Sequence, residues 1–251
     1  MKTKPSTKFP AIWGHRGAMD FAPMNTLVSF REAIDQGADG IELDVHLSAD
    51  GQVMVLHDDS VDTTSNGNGL VAEMSVEQLQ GLDAGAWFSE QFRGERIPRL
   101  IEVFEALPEN FLVNVELKSR TGLPKSDRQA LVGLTIDVVR TCHRQDSVIF
   151  SSFDPRLVRL AAKLAPEIDR ALLIDRKRPW WLALASLGLD MQAIHPHFSL
   201  VNSRLIDQAK RRNWKVNVWT VNDSQEAARL AALGVDALIC NSPRQIRAAL
   251  S

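Results

Sequence analysis

The chain lacks most of the features that direct a protein to an oxidising compartment, a nucleic acid or a membrane. It has two cysteines in 251 residues, Cys142 and Cys240. Far apart in sequence, they form neither a redox motif nor a metal-ligand pair, which fits a reducing compartment, and both read as small core hydrophobes. There is no excess of charge of one sign. The 29 Lys plus Arg stand against 31 Asp plus Glu, a net charge of -2, so no global field draws in nucleic acid or an anionic membrane. The short basic runs at 176–178 and 210–212 read as solvated faces. Long apolar runs are missing too. The most apolar stretch, residues 180–189, is ten residues long and contains Ser186 and Gly188, too short to span a bilayer. Residues 1–10 carry three lysines with no apolar run behind them, which is not a secretory signal. A cytoplasmic protein with no stable membrane association and no nucleic-acid partner is expected, and any anion it binds must be held by local groups.

What is present is enough apolar material for a large core: 45% hydrophobic against 24% charged residues. The length is that of one β/α barrel, so 1–251 is expected to form a single domain. Short runs rich in Val and Ile alternate with segments of helical period, the pattern of parallel strands joined by crossover helices in an α/β fold. Strands are expected at 11–14, 40–46, 53–57, 112–117, 148–152, 170–174, 193–195, 215–220 and 237–240. Helices are expected at 25–36 (capped by Asn25), 100–107, 127–143, 155–164, 180–187, 203–212, 224–233 (capped by Ser224) and 243–250. Nine strands are one too many for an eight-stranded barrel. However, Ala49-Asp50-Gly51 is a hairpin turn, which makes the second and third strands antiparallel and sets His57 opposite Leu43, between Glu42 and Asp44. The long stretch at about 59–94 reads as an inserted cap near the barrel mouth.

The chemistry-bearing residues collect at strand ends. The first strand runs from apolar residues into His15-Arg16-Gly17, as a barrel strand does on reaching a catalytic mouth. Glu42 and Asp44 are two apart, so both side chains point to one face. Glu116 sits inside the otherwise apolar run 112–117, with Lys118 on the same side. Three converging carboxylates repel each other, and a hard divalent cation such as Mg²⁺ or Ca²⁺ resolves the conflict through oxygen ligands. Salt bridges to Arg16 or Lys118 are the competing account, and Lys118 also suits an anionic substrate oxygen.

His15-Arg16-Gly17, Pro23-Met24-Asn25-Thr26, Glu42-Leu43-Asp44-Val45, His57-Asp58, Val115-Glu116-Leu117-Lys118, Ser151-Ser152-Phe153 and Val218-Trp219-Thr220-Val221-Asn222 resemble, in order, the glycerophosphodiester phosphodiesterase family. The resemblance covers nearly the whole chain. It implies a TIM (β/α)8-type barrel, a divalent cation (Mg²⁺ or Ca²⁺), and hydrolysis of small-molecule glycerophosphodiesters, such as glycerophosphocholine, to glycerol 3-phosphate and an alcohol. Carried over by position, Glu42, Asp44 and Glu116 are metal ligands, His15 and His57 the acid and base pair, and Arg16 and Lys118 phosphate contacts. Trp219 is an aromatic wall for the glycerol moiety, or alternatively a packed strand-end aromatic.

The chain departs from that pattern at two acids. Met24 stands where the family usually has glutamate, with Asp20 four residues earlier as a candidate substitute. Asn241 replaces the aspartate of the C-terminal strand end, a change expected to affect the strand end more than chemistry. These departures motivate a second reading, a weakly active relative that binds glycerol phosphate compounds. A phospholipase acting on intact lipid ranks below both, because no amphipathic anchor is evident. His195-Pro196-His197 reads as a rim loop and not as a second metal site.

Overall fold

The computed structural model describes residues 9–119, 124–177 and 188–251. Nine strands form one sheet: β1 (Ala11–His15), β2 (Gly40–Leu47), β3 (Val53–Val55), β4 (Leu112–Leu117), β5 (Val148–Ser152), β6 (Asp169–Ile174), β7 (Ala193–Pro196), β8 (Lys215–Val218) and β9 (Ala237–Cys240). Eight of them run parallel in a closed ring, because β1 pairs with both β9 and β2. β3 stands outside the ring. One edge of β2 is shared, with Gly40–Glu42 against β1 and Val45–Leu47 against β3 in antiparallel register. The hairpin needs Gly51 at φ 78°, a conformation open to glycine. Its register pairs Val45 with Val55, which extrapolates to His57 opposite Leu43 as expected. The strand itself stops at Val55, two residues before the histidine.

Alternation along the strands decides what faces the barrel interior. Ile41, Leu43, Val45, Val113, Val115 and Leu117 pack outward into the larger core cluster, under helices α1 (Leu27–Asp35), α3 (Leu100–Ala106), α4 (Lys125–Thr141) and α5 (Pro155–Leu164). The intervening Glu42, Asp44, Asn114 and Glu116 therefore face inward. On the other half, Ile12, Ile194, Val216, Val218 and Leu238 pack outward under α6 (Ser203–Arg211), α7 (Ser224–Leu233) and α8 (Pro243–Leu250). Trp13, Ala237 and Ile239 fill the interior below the site. At roughly 25 cal/mol per Å² of buried apolar area, these two outer clusters supply most of the driving force for closure.

Two caps differ from expectation. Thr26, not Asn25, caps α1 through Oγ1 on Ser29 N, and Asp223, not Ser224, caps α7. Asn25 has another partner, described below. α4 begins two residues earlier than expected, and the helix expected at 180–187 lies outside the described residues. Both cysteines are free; Cys240 is buried, and Cys142 packs against the core. The segment between β3 and α3 holds α2 (Val76–Gln80) between two short 3-10 turns, over its own cluster of Met54, Leu56, Val61, Val71, Leu79, Ala84 and Ile97. Among the described residues no helix is long and apolar enough to cross a membrane.

Candidate active site

The C-terminal ends of the parallel strands carry the polar residues, and the loop after β1 shapes them. Arg16 and Gly17 have φ of 51° and 88°, and a Cβ on Gly17 would meet the Ser29 backbone at 2.6 Å. This sharp turn points the Arg16 N–H at Glu42 Oε2, 3.1 Å away, and its guanidinium at Asp44 Oδ2, 3.4 Å away. The loop returns through Asn25, another left-handed residue at φ 59°. Asn25 brackets Asp44: its Nδ2 donates to Asp44 Oδ2 at 2.9 Å, and its Oδ1 accepts from Asp44 N at 3.4 Å. From β4 and the residue after it, Lys118 Nζ reaches Asp44 Oδ1 at 3.2 Å and Glu116 Oε1 at 3.1 Å.

Glu42, Asp44 and Glu116 are all buried, and one oxygen from each lies within 4.8 Å of the others. Their ionisation is lopsided. The Glu42 carboxyl is pushed well above the usual range by burial and by the charges of Asp44 and Glu116. Burial drives Glu116 up to about 7 against the pull of Lys118. Burial also works against ionisation of Asp44, but Lys118 and Arg16 overcome it and hold that carboxyl well below the usual range. Arg16 and Lys118 thus keep Asp44 ionised, whereas the Glu42 and Glu116 carboxyls stay raised even with Lys118 on Glu116. An all-oxygen donor set short of positive charge is what a hard divalent ion fits, so the cluster could hold one.

Two histidines flank the acids, each fixed at Nδ1. His15 Nε2 lies 4.0 Å from Glu42 Oε2, and its Nδ1 lies 2.9 Å from Asn241 Oδ1. Asn241 Nδ2 donates to Asp20 Oδ1 at 3.1 Å, so its oxygen faces His15 and the imidazole proton sits on Nδ1. Burial and then the Arg16 charge lower His15 to about 4. It is neutral at pH 7 with its Nε2 lone pair turned to the site. His57 Nδ1 is 2.6 Å from Asp58 Oδ1, and Asp58 in turn accepts from Thr63 Oγ1 at 2.7 Å. Burial lowers His57, while Asp44 and Asp58 oppose that shift.

Trp219 closes the far side of the mouth. Its Nε1 donates to His195 O at 2.7 Å, and Phe153 and His197 meet it edge-on at 5.4 and 5.2 Å between centroids.

The sequence and the fold have known counterparts. The family model described as the glycerophosphoryl diester phosphodiesterase family matches residues 15–245. The chain belongs to that family. A glycerophosphodiester phosphodiesterase of Caldanaerobacter subterraneus subsp. tengcongensis is 37% identical over 94% of this chain and 95% of its own. A phosphodiesterase of Oleispira antarctica, solved in complex with the product sn-glycerol-3-phosphate, superposes with a TM-score of 0.88 at 32% identity, covering 96% of this chain and 97% of that one. A glycerophosphodiester phosphodiesterase of Agrobacterium tumefaciens superposes with a TM-score of 0.81 at 29% identity, covering 95% and 99%. Glycerophosphoryl diester phosphodiesterases are hydrolases, and this chain is a member enzyme of that family.

The structure revises the sequence-based expectation for several residues of this phosphodiesterase family member. Asn241 was expected to matter for the strand end, yet its side chain lies on His15. Asp20 does not replace the lost glutamate at position 24; it supports Asn241. Met24 itself offers Sδ to Arg16 Nη1 at 3.2 Å, a weak acceptor facing a cation that Asp44 already holds. Asn25 was expected as a helix cap within the Pro23-Met24-Asn25-Thr26 motif, with no partner in the site, yet it brackets Asp44. His195 is not on a rim loop: it is fully buried on β7, accepts from Asn217 Nδ2 at 2.9 Å, and burial drops its pKa to about 3. Among the described residues the acid triad is the one group with metal-ligand spacing.

Proposed function

We propose that the chain hydrolyses glycerophosphodiesters, such as glycerophosphocholine and glycerophosphoethanolamine, to glycerol 3-phosphate and an alcohol. One divalent cation, Mg²⁺ or Ca²⁺, is held in this reading by Glu42, Asp44 and Glu116, and when bound it polarises a phosphoryl oxygen as a Lewis acid. The observation that carries the reading is the pair of histidines with Nδ1 anchored, on Asn241 and on Asp58, around a buried three-carboxylate cluster.

A phosphodiester gathers negative charge on its oxygens as the attacking group arrives. Arg16 and Lys118 stand where that charge develops and would stabilise it. The attacking oxygen needs a base and the departing alkoxide needs an acid. His15, neutral and presenting a bare Nε2, suits the base. His57, whose lowering by burial is opposed by Asp44 and by the Asp58 carboxylate on its Nδ1, is the histidine with carboxylate support for a proton and suits the acid. Each such transfer contributes on the order of 10² to 10⁴ in rate. Trp219 gives the glycerol carbons an apolar wall whose orientation the His195 carbonyl sets. The Oleispira relative's complex with sn-glycerol-3-phosphate supports this product for the present chain.

The test is release of glycerol 3-phosphate by purified protein supplied with Mg²⁺ or Ca²⁺. No release from any common glycerophosphodiester would sink the proposal, and greater activity on intact phospholipid vesicles would redirect it to lipid substrates.

A further inference from the structure

Of the two histidines beside the acids, His57 is the one held from outside the barrel. Its Nδ1 lies 2.6 Å from Asp58 Oδ1, which leaves Nε2 as the ring nitrogen able to meet substrate. The Asp58 side chain is 40% exposed, and a carboxylate open to water fixes a neighbour weakly, because solvent competes for it and the side chain is free to rotate. Something must hold it. Its second oxygen, Oδ2, accepts from Thr63 Oγ1 at 2.7 Å.

Thr63 belongs to the segment between β3 and α3, and the sequence around it is built to keep that hydroxyl in place. Ser65-Asn66-Gly67-Asn68-Gly69 is a run of residues that turn the chain and bond to their own backbone. The loop closes on itself where Ser60 pairs with Leu70, with Val61 N donating to Gly69 O at 3.1 Å and Val71 N to Asp59 O at 2.9 Å. Within it, Ser65 Oγ donates to Val61 O at 2.7 Å, and Asp62 Oδ1 accepts from Gly69 N at 2.8 Å. Both ends of the loop and its tip are anchored. Val61 and Val71 are buried in the cluster under α2, and Asn66 exchanges hydrogen bonds with Asp83 at 2.9 and 3.1 Å. A backbone tied at these points leaves Thr63 only its χ1 torsion, and β-branching restricts that too.

We propose that Thr63 is a positioning residue for departure of the alcohol, acting through Asp58 on His57. The inference rests on the phosphodiesterase reading and assigns part of its proton transfer to the inserted segment. In the step concerned, the P–O bond to the alcohol breaks, its electron pair passes to the alcohol oxygen, and that oxygen takes the Nε2 proton of His57. The imidazole is left neutral, with its Nδ1 proton still on Asp58. The proton lost by the attacking oxygen goes to His15, and exchange with solvent restores both histidines. Thr63 touches neither substrate nor the reacting atoms. Its hydroxyl matters to the extent that the leaving group needs a proton: an alkoxide does, whereas a nitrophenolate departs without one.

The experiment measures kcat for glycerophosphocholine and for glycerol p-nitrophenyl phosphate, at one fixed pH and metal concentration, in the wild-type protein, Thr63→Val and Thr63→Ser. Valine keeps the β-branched shape and loses the hydroxyl, and serine does the reverse. One hydrogen bond of this kind carries a factor of roughly 2 to 10 in rate. In Thr63→Val, kcat for the choline diester should fall by about that factor relative to kcat for the nitrophenyl diester, with KM for both unchanged. Thr63→Ser should keep the wild-type ratio. Asp58→Asn should shift the ratio in the same direction and further, and Thr63→Val added to it should change nothing more, because the hydroxyl acts through the carboxylate. A ratio unmoved in Thr63→Val, an equal loss on both diesters (the mark of general loosening), or a serine variant that fails to keep the ratio overturns the positioning role and leaves the phosphodiesterase reading intact. No release from either diester by the wild-type protein overturns that reading and this role with it.

Discussion

Asn25 gives the sharpest test of how the site is held together. It is 3% exposed, adopts φ 59°, and uses both ends of its amide on Asp44. Asn25→Ala removes a hydrogen bond to a buried ionised carboxylate, a loss of roughly 1.5–3 kcal/mol. It also places an ordinary Cβ in the left-handed region, which costs roughly 1–2 kcal/mol and which asparagine tolerates better than alanine. About 3 kcal/mol of destabilisation follows, or a fall in Tm of roughly 6–12 °C for a chain of this length. Asn25→Gly loses the same bonds but tolerates the φ, so it should fall less than the alanine variant. The assay is thermal and urea unfolding in the presence of chelator, followed by titration of Mg²⁺ or Ca²⁺. An Asp44 no longer fixed from behind should bind the cation about 10–100-fold more weakly. If both variants unfold within about 0.5 kcal/mol of the wild type and bind the ion equally well, Asn25 is not what positions Asp44 and the reasoning fails.

The raised acids predict a pH dependence. Glu116 titrates near 7 in the folded protein against an ordinary 4.5, and Glu42 is shifted the same way. At these two carboxyls the folded state binds more protons, so their contribution to metal-free stability should fall as pH rises from 4.5 to 7, opposed up to 6.5 by His15 and His195, whose lowered pKa values make the folded state bind fewer. A cation must displace those protons, so its affinity should rise with pH, approaching about tenfold per unit below 7 for each proton released. Calorimetric titrations between pH 5.5 and 7.5 (roughly the span over which such a group ionises) check this, and a pH-independent Kd would contradict it. Asn241→Asp sets a carboxylate on His15 Nδ1 and should move the acid limb of kcat/KM upward by roughly 1–2 units. Because the new charge would also face Asp20, the shift should be clearest with Asp20→Asn added, and superimposable pH profiles would count against the His15 assignment. Met24→Glu offers Arg16 a better partner, but Asp44 already holds that guanidinium, so kcat should change less than about tenfold; a larger gain measured by steady-state kinetics would mark the natural protein as the weak catalyst.

The parts of the site legible in the sequence are those that depend on local periodicity. Glu42 and Asp44 share a face because strands repeat every two residues, and Glu116 stands out as a charge in an apolar run. The hairpin register followed from three turn residues. What escaped depends on long-range closure and on backbone conformations that composition does not encode. Asn25 reaches Asp44 because the loop between them and β1 passes through left-handed residues at Arg16, Gly17 and Asn25. An asparagine before a threonine looks like a cap, and only the three-dimensional turn shows that Thr26 has taken that role. Asn241 was undervalued for a different reason. It lies 226 residues from His15, and the two meet because β9 closes the ring against β1.

That closure changes how the two departures from the family pattern should be weighed. A lost acid at position 24 looks more damaging than one at 241, since it lies in a motif beside the catalytic histidine. The geometry reverses the order. Position 24 faces a guanidinium held by other groups, whereas position 241 supplies the hydrogen-bond partner of His15 Nδ1. A neutral partner there fixes the tautomer without raising basicity, and burial then leaves His15 unprotonated over the physiological range. On the proposed function the substitution at 241 is therefore the one that tunes chemistry: it would set His15 in the role of proton acceptor and leave the role of proton donor to His57, the histidine that still has a carboxylate behind it.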